Sequence, residues 1–311
     1  MTTTYASERT GARGHTVQLD HIETYYEEYG VGKPLVLLHG FGGSAQNWYQ
    51  FTAELSERHR LIVVDLRGHG YSSNPENRFT HREAANDVFL LLDKLGVGRF
   101  SAMGMSSGGM TLLHMATSQP ERIDSMVLIS ATSHFPDQAR VILRRASFVA
   151  MPQEVQAMYR ECAKRGDAQI RELISQFNAL GDNYDDMNFT AQSLSTIAAR
   201  TLIVHGDRDR FFPIEIPVSI YRSIPDAALW IIPGGDHVPI YDPSVPFTST
   251  ALRFLDGPDS NWHSGASQGD NRTARERPAA VAHSRIEVRP GSDRPLPTPL
   301  KRRSPQRRRP V

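Results

Sequence analysis

The 311-residue sequence predicts an α/β protein: a mostly parallel, doubly wound sheet with a small helical cap and a disordered C-terminal tail. Three observations carry that expectation. Short runs rich in Val, Ile and Leu recur along the chain, amphipathic helical patterns separate them, and the composition changes abruptly after residue 256. Continuous apolar runs suit strands buried on both faces, as in a parallel sheet. Their alternation with helices is the mark of a layered α/β arrangement.

Residues 15–30 (HTVQLDHIETYYEEYG) alternate near their start and read as a leading antiparallel hairpin or edge. Strand runs follow at residues 34–40 (PLVLLHG), 60–66 (RLIVVDL), 125–130 (SMVLIS) and 200–206 (RTLIVHG), with weaker ones at 99–104 and 228–235. Thr80-His81-Arg82-Glu83 has the form of a capping box. It opens a helix whose Val88, Leu91, Leu92 and Leu95 make one apolar stripe, which Gly96 ends. Between residues 130 and 200 the strand signal stops. Val155, Met158, Tyr159 and Cys162, then Ile170, Leu173, Ile174, Phe177 and Leu180, fall there at helical spacing, so the stretch reads as a helical insertion over the sheet. The expected organisation is core over residues 1–132, cap over 133–199, core again over 200–256 and tail over 257–311. No internal repeat is evident.

Charge divides the chain at the same place. The whole sequence carries 35 basic and 34 acidic residues, and its mean hydropathy is −0.41. Residues 257–311 hold 12 basic against 5 acidic residues, a net of +7, and leave 23 against 29, a net of −6, for the body. A Pro/Arg-rich segment with so few apolar residues cannot offset its ordering entropy. Its end, LKRRSPQRRRPV, is suited electrostatically to nucleic acid, an anionic surface or an acidic partner, the plain alternative being a solvated tail. Cys162 is the single cysteine, which excludes an intramolecular disulfide and fits a reducing compartment. The first sixteen residues lack the apolar stretch of a signal peptide, and no run is long enough to span a membrane. A cytoplasmic protein without membrane contact is the expectation.

Gly-x-Ser-x-Gly occurs twice, as Gly104-Met105-Ser106-Ser107-Gly108 and as Gly265-Ala266-Ser267-Gln268-Gly269. The first follows a strand candidate and precedes a helix-like run, so it has the strand–turn–helix setting of a nucleophile elbow. The second has neither and lies in the tail. A serine hydroxyl needs a base to take its proton and an acid to orient that base. After Ser106, strand candidates end in HGDRDRFFP (residues 205–213) and PGGDHVPI (233–240), at the edge of a parallel sheet where sites form.

Three further stretches make the pattern specific. LLHGFGGSAQNW (37–48) resembles the His-Gly-x-Gly oxyanion loop of the α/β-hydrolases. DLRGHGYS (65–72) resembles their Asp-x-Arg-Gly-x-Gly-x-Ser segment, and GDRDRFFP (206–213) their Gly-x-x-Asp-x-x-x-Pro acid loop. With the elbow and the histidine loop they occur in that family's order across residues 35–256. The body therefore resembles an α/β-hydrolase with a helical cap, in the esterase, lactonase and C–C hydrolase branch. The resemblance implies Ser106 as nucleophile, His237 as general base and Asp209 as the acid, with Asp207 the competing assignment or else a loop-stabilising carboxylate. It implies the backbone N–H groups of Phe41 and Ser107 as oxyanion donors, and Phe41, Met105, Phe148, Met151 and Val238 as candidate pocket residues. The serine argues against branches with an aspartate nucleophile.

Other conspicuous residues have structural readings: His39 and His69 as loop supports, Asp236 as surface or loop structure, Trp48 and Trp230 as core. No histidine, cysteine or carboxylate set has metal-ligand spacing, and GFGGS (40–44) lacks the spacing and acidic partner of a dinucleotide loop, so neither metal nor cofactor is expected. The expected activity is hydrolysis of a carboxylic ester or lactone on a small or medium apolar substrate, through an acyl-enzyme. The alternatives are a C–C bond hydrolase of ring-cleavage products, a cofactor-free haloperoxidase or perhydrolase, and a ligand receptor that keeps the triad.

Overall fold

The computed structural model describes residues 2–6 and 13–257. The readings placed on residues 258–311, including the basic tail and the second Gly-x-Ser-x-Gly, lie outside the described residues. Strands β1 (Thr2–Ala6), β2 (Arg13–Gln18), β3 (Glu23–Tyr29), β4 (Lys33–Leu38), β5 (His59–Val64), β6 (Phe100–Met105), β7 (Ile123–Ile129), β8 (Arg200–Gly206) and β9 (Ala227–Ile232) form one sheet. Its order is β1-β2-β3-β5-β4-β6-β7-β8-β9. The β1–β2, β2–β3 and β3–β5 pairs are antiparallel and every later pair is parallel. The expected leading hairpin is thus β2–β3. The polar run that forms β1 gave no strand signal.

The helices are α1 (Tyr49–Ser56), α2 (His81–Lys94), α3 (Ser107–Ser118), α4 (Asp137–Arg145), α5 (Gln153–Cys162), α6 (Asp167–Leu180), α7 (Ala191–Leu194), α8 (Glu215–Ser223) and α9 (Phe247–Leu255). The parallel strands have two buried faces, and successive residues divide between them. On β4, Val36 and Leu38 join the core under α2, α3 and α8, while Leu35 and Leu37 join the core under α1 and α9. This is why these strands are uninterrupted apolar runs. Trp48 is fully buried in the second core, against Phe51, and Trp230 packs against the same cluster.

α2 begins at Thr80 as its sequence predicts, with one correction. Thr80 Oγ1 accepts the Glu83 N–H at 3.1 Å, but Glu83 does not return a bond to the Thr80 backbone. Its carboxylate is taken by the Thr80 hydroxyl and by the Arg67 and Arg78 guanidiniums. Stronger cationic partners have displaced half of the box. At the other end Gly96 has φ +66°, the left-handed conformation that a helix stop favours.

Between β7 and β8 the chain forms α4 to α7 and, besides one isolated bridge between His134 and Asn188, no strand. Buried donors hold this segment in place. Arg140 gives hydrogen bonds to the carbonyls of Phe135, Gly181 and Asn183, and Gln169 Nε2 gives two to Gly68 and Gly70 in the loop after β5. Among the described residues no helix is long and apolar enough to cross a membrane.

Backbone packs closely against backbone where α3 leaves β6. A Cβ on Gly108 would stand 2.3 Å from the Leu38 carbonyl oxygen and 2.8 Å from that of His39, and one on Gly104 would stand 2.5 Å from the Gly108 carbonyl carbon. Backbone cannot yield as a side-chain end can. Gly108→Ala should therefore cost about 3 kcal/mol, at the top of the overpacking range, or roughly 6–12 °C in Tm for a body of this size. Calorimetry tests this, and an unchanged Tm would mean that α3 can slide away from β4.

Candidate active site

Ser106 joins β6 to α3 with φ 50° and ψ −116°, a backbone conformation that costs a non-glycine residue about 1–3 kcal/mol. The turn is held on both sides. Ser106 N–H donates to Ile129 O at 2.7 Å, and Ser106 O accepts from Met110 N–H at 2.9 Å. The glycines at 104 and 108 remove the side chains that would otherwise collide in so sharp a bend. The hydroxyl is consequently held at the C-terminal edge of the sheet.

His237 and Asp209 reach the same edge from the loops after β9 and β8. Ser106 Oγ lies 2.9 Å from His237 Nε2, and His237 Nδ1 lies 2.8 Å from Asp209 Oδ2. One tautomer satisfies both bonds: Nδ1–H donates to the carboxylate, and Nε2 accepts from the serine hydroxyl. Asp209 is buried, and its second oxygen accepts the N–H groups of Phe211 at 2.8 Å and Phe212 at 3.1 Å. Burial by itself would raise its pKa, but the hydrogen bond and charge of His237 and the backbone donors outweigh that and hold it below the usual carboxylate value. The Phe211 ring lies 4.8 Å from the imidazole, centroid to centroid.

The competing carboxylate has another task. Asp207 Oδ1 accepts the Gly234 N–H at 2.6 Å, and Arg208 N–H donates to Gly235 O at 2.8 Å, which ties the acid loop to the histidine loop. Asp236 is paired with the Arg210 guanidinium at the surface. Val238 takes a left-handed conformation, φ 54°, strained for a β-branched residue, and its N–H donates to Ser130 Oγ at 3.0 Å. Ser130 and Phe211 support His237, yet neither belongs to a sequence pattern that marks it.

The two residues expected to give the oxyanion donors are neighbours of the Ser106 turn. Ser107 is the first residue of α3, where an N–H has no partner within the helix and the helix dipole favours negative charge. Phe41 follows Gly40, at which a Cβ would sit 3.5 Å from Ser106 Cβ. His39 supports this loop: Nδ1–H donates to Gly40 O at 2.7 Å and Nε2 accepts from Leu66 N–H at 3.0 Å. Burial pushes its pKa down to about 4, the Gly40 carbonyl opposing this in part. His69 is likewise buried, with Nδ1 bonded to Arg67 O at 2.9 Å.

The insertion covers this loop. The Tyr159 ring occupies the space a Cβ on Gly42 would need, and the Phe41 ring lies 4.9 Å from that of Phe177 on α6. Phe41, Phe148 and Met151 pack against one cluster with Tyr159 and Leu173. Met105 and Val238 belong instead to the core under α1 and α9, where the Met105 sulfur accepts from the Tyr241 hydroxyl. Among the described residues no group of three or more His, Cys, Asp or Glu side chains could hold a metal.

A family model described as the α/β hydrolase fold matches residues 33–177. The chain is 27% identical over 274 residues to the 2-hydroxy-6-oxononadienedioate/2-hydroxy-6-oxononatrienedioate hydrolase of Burkholderia vietnamiensis, across 75% of this chain and 91% of that protein. It is 24% identical over 257 residues to the 2-hydroxy-6-oxo-6-(2'-aminophenyl)hexa-2,4-dienoic acid hydrolase of Metapseudomonas resinovorans, across 75% of this chain and 88% of that one. Among solved structures, an N-acyl homoserine lactone degrading enzyme superposes with a TM-score of 0.64 at 25% identity, covering 76% of this chain and 98% of its own. By its sheet topology and by these matches, the chain has the α/β-hydrolase fold.

The two carboxylates make different predictions. Asp209→Asn leaves His237 without its charged partner and should lower turnover by several powers of ten, about 10⁴ for the comparable change in a serine protease. Asp207→Asn should cost far less, and the reverse order in steady-state kinetics would exchange their roles. Because folding holds the Asp209 pKa below its unfolded value near 4, its contribution to stability is complete above that pH and is lost as pH falls through the folded value. A Tm profile from pH 7 to 3 should fall on its acid limb, and less steeply in Asp209→Asn.

Proposed function

We propose that the protein is a serine hydrolase that cleaves a carboxylic ester or lactone of small to medium apolar substrates through an acyl-enzyme. The continuous chain from Ser106 Oγ through His237 to Asp209 carries this reading. Ser106 Oγ attacks the carbonyl carbon as its proton passes to His237 Nε2. The amides of Phe41 and Ser107 receive the oxyanion. The tetrahedral intermediate expels an alkoxide, which His237 protonates. Water, deprotonated by the same nitrogen, then attacks the acyl-enzyme and releases the acid. Asp209 keeps Nδ1 protonated and stabilises the imidazolium.

The substrate class is argued from the side chains beside Phe41. Phe148, Met151, Tyr159 and Phe177 offer apolar and aromatic surface to an acyl or aryl group. Arg210, near the histidine loop, is already neutralised by Asp236. The two relatives give a second reading, hydrolysis of a C–C bond with the same residues, and the B. vietnamiensis enzyme's named substrates are dicarboxylates. An anionic substrate of that kind calls for an unpaired cation, which the side chains named around Phe41 do not supply. A reducing, cytoplasmic setting fits the single buried Cys162.

A fluorophosphonate probe should label the full chain at Ser106; Ser106→Ala should abolish labelling and Ser267→Ala should leave it intact. Aryl esters and lactones should turn over, with Ser106→Ala and His237→Ala slower by roughly 10⁴–10⁶. Turnover of a vinylogous 1,5-diketone acid but of no ester or lactone would replace this reading with the C–C one.

A further inference from the structure

A second serine–histidine–carboxylate chain is buried one residue beyond Ser106. Ser107 Oγ lies 3.1 Å from His81 Nε2, and His81 Nδ1 lies 2.6 Å from Asp186 Oδ2. The His81 and Asp186 side chains are 0% and 1% exposed. Asp186 also accepts the backbone N–H of His81 at 2.8 Å and of Arg82 at 3.1 Å, and its other oxygen is 3.4 Å from His114 Nε2 on α3. Burial by itself would raise the Asp186 pKa, but the charge and hydrogen bonds of His81, with His114 close by, hold it well below the usual carboxylate range. The group is an anion in the interior.

Such a network is costly to bury and is often replaceable by apolar side chains without loss of stability. What it supplies is fixed orientation. Ser107 carries two groups of opposite use: a hydroxyl bonded to the interior imidazole, and an amide at the first position of α3. Thr111 Oγ1 donates to the Ser107 carbonyl at 2.9 Å, so the residue is held at a third atom as well. Its hydroxyl is no second nucleophile, since Ser107 is 3% exposed and its imidazole partner is fully buried.

We infer that His81 and Asp186 are positioning residues for acyl transfer, acting through the Ser107 hydroxyl to keep the Ser107 amide aimed at the developing oxyanion. The inference rests on the assignment of Ser106, His237 and Asp209 made above. Loss of a whole oxyanion donor costs roughly 10²–10³ in kcat. An amide that is kept but loosened should cost part of that, about tenfold. The network is one unit, so its members should not contribute additively.

The test compares Ser107→Ala, Ser107→Thr, Asp186→Asn and the double variant Ser107→Ala/Asp186→Asn in the full chain. Aryl-ester kcat and KM are measured well below each Tm. Ser107→Ala is expected to lower kcat about tenfold with KM within twofold, and Ser107→Thr, which restores a hydroxyl, to recover most of it. The double variant is expected to be no slower than Asp186→Asn alone. Ser107→Ala with kcat within twofold of the parent, or losses that multiply in the double variant, overturns the inference. Should Asp186→Asn fail to fold, Ser107→Ala and Ser107→Thr decide. Ser106→Ala separates the two levels: if it remains active the assignment of the site fails, and if it is inactive while Ser107→Ala is unimpaired only the positioning role fails.

Discussion

The approach of backbone to backbone at Gly104 and Gly108 is the constraint on which the site depends. With no side chain at either position, the first turn of α3 lies against the end of β6 and against the carbonyls of Leu38 and His39. That contact bends the chain sharply at Ser106 and brings the loop after β4 beside it. The hydroxyl, the first amide of α3 and the Phe41 loop therefore meet because two residues have no Cβ. A wider turn would leave each element intact and move these groups apart.

The bend stores strain, and the neighbouring loops store more. Four non-glycine residues with positive φ occur among the described residues, and three of them are linked to the histidine loop: Ser106 through its bond to His237, Val238 as the residue after it, and Ser130 through its bond to Val238. Each is held by a hydrogen bond: Ser106 N–H to Ile129 O, Ser130 N–H to Val204 O, and Val238 N–H to Ser130 Oγ. The parallel strands supply two of those acceptors. The sheet interior thus offsets a local cost at its edge, which is how strained backbone persists at functional sites.

Much of this was legible in the sequence because its physical cause is local. Buried parallel strands must be apolar throughout, and a sharp strand-to-helix turn must have small residues around it, so β4, β5, β7, β8 and Ser106 declare themselves, while β6 gives a weaker signal. Loops at consecutive strand ends offer Asp207, Asp209 and His237, and the α/β-hydrolase resemblance is what singles out Asp209. What was not legible depends on contacts between distant residues. Asp186 lies 105 positions from His81, in a stretch that reads as a polar turn, and nothing in the spacing connects them. Ser130 looks like the end of a strand until Val238 is placed against it. Glu83 fits its capping box until Arg67 and Arg78 arrive from elsewhere in the fold. Strand β1 is polar, and its pairing with β2, not its own pattern, defines it.

The insertion between β7 and β8 is attached to the core by groups that the core needs for its own order. Gln169 satisfies carbonyls in the loop after β5, and Asp186 caps the start of α2 through two backbone amides while it anchors His81. A segment fastened in this way is not an interchangeable module. Grafting the corresponding stretch from a relative would exchange the surface over Ser106 and also withdraw an anion from beneath α3, stranding His81 in the interior. In this protein, diversification of the covering segment is tied to the integrity of the scaffold, and recombination at the insertion boundaries must carry the residue pair 81 and 186 together.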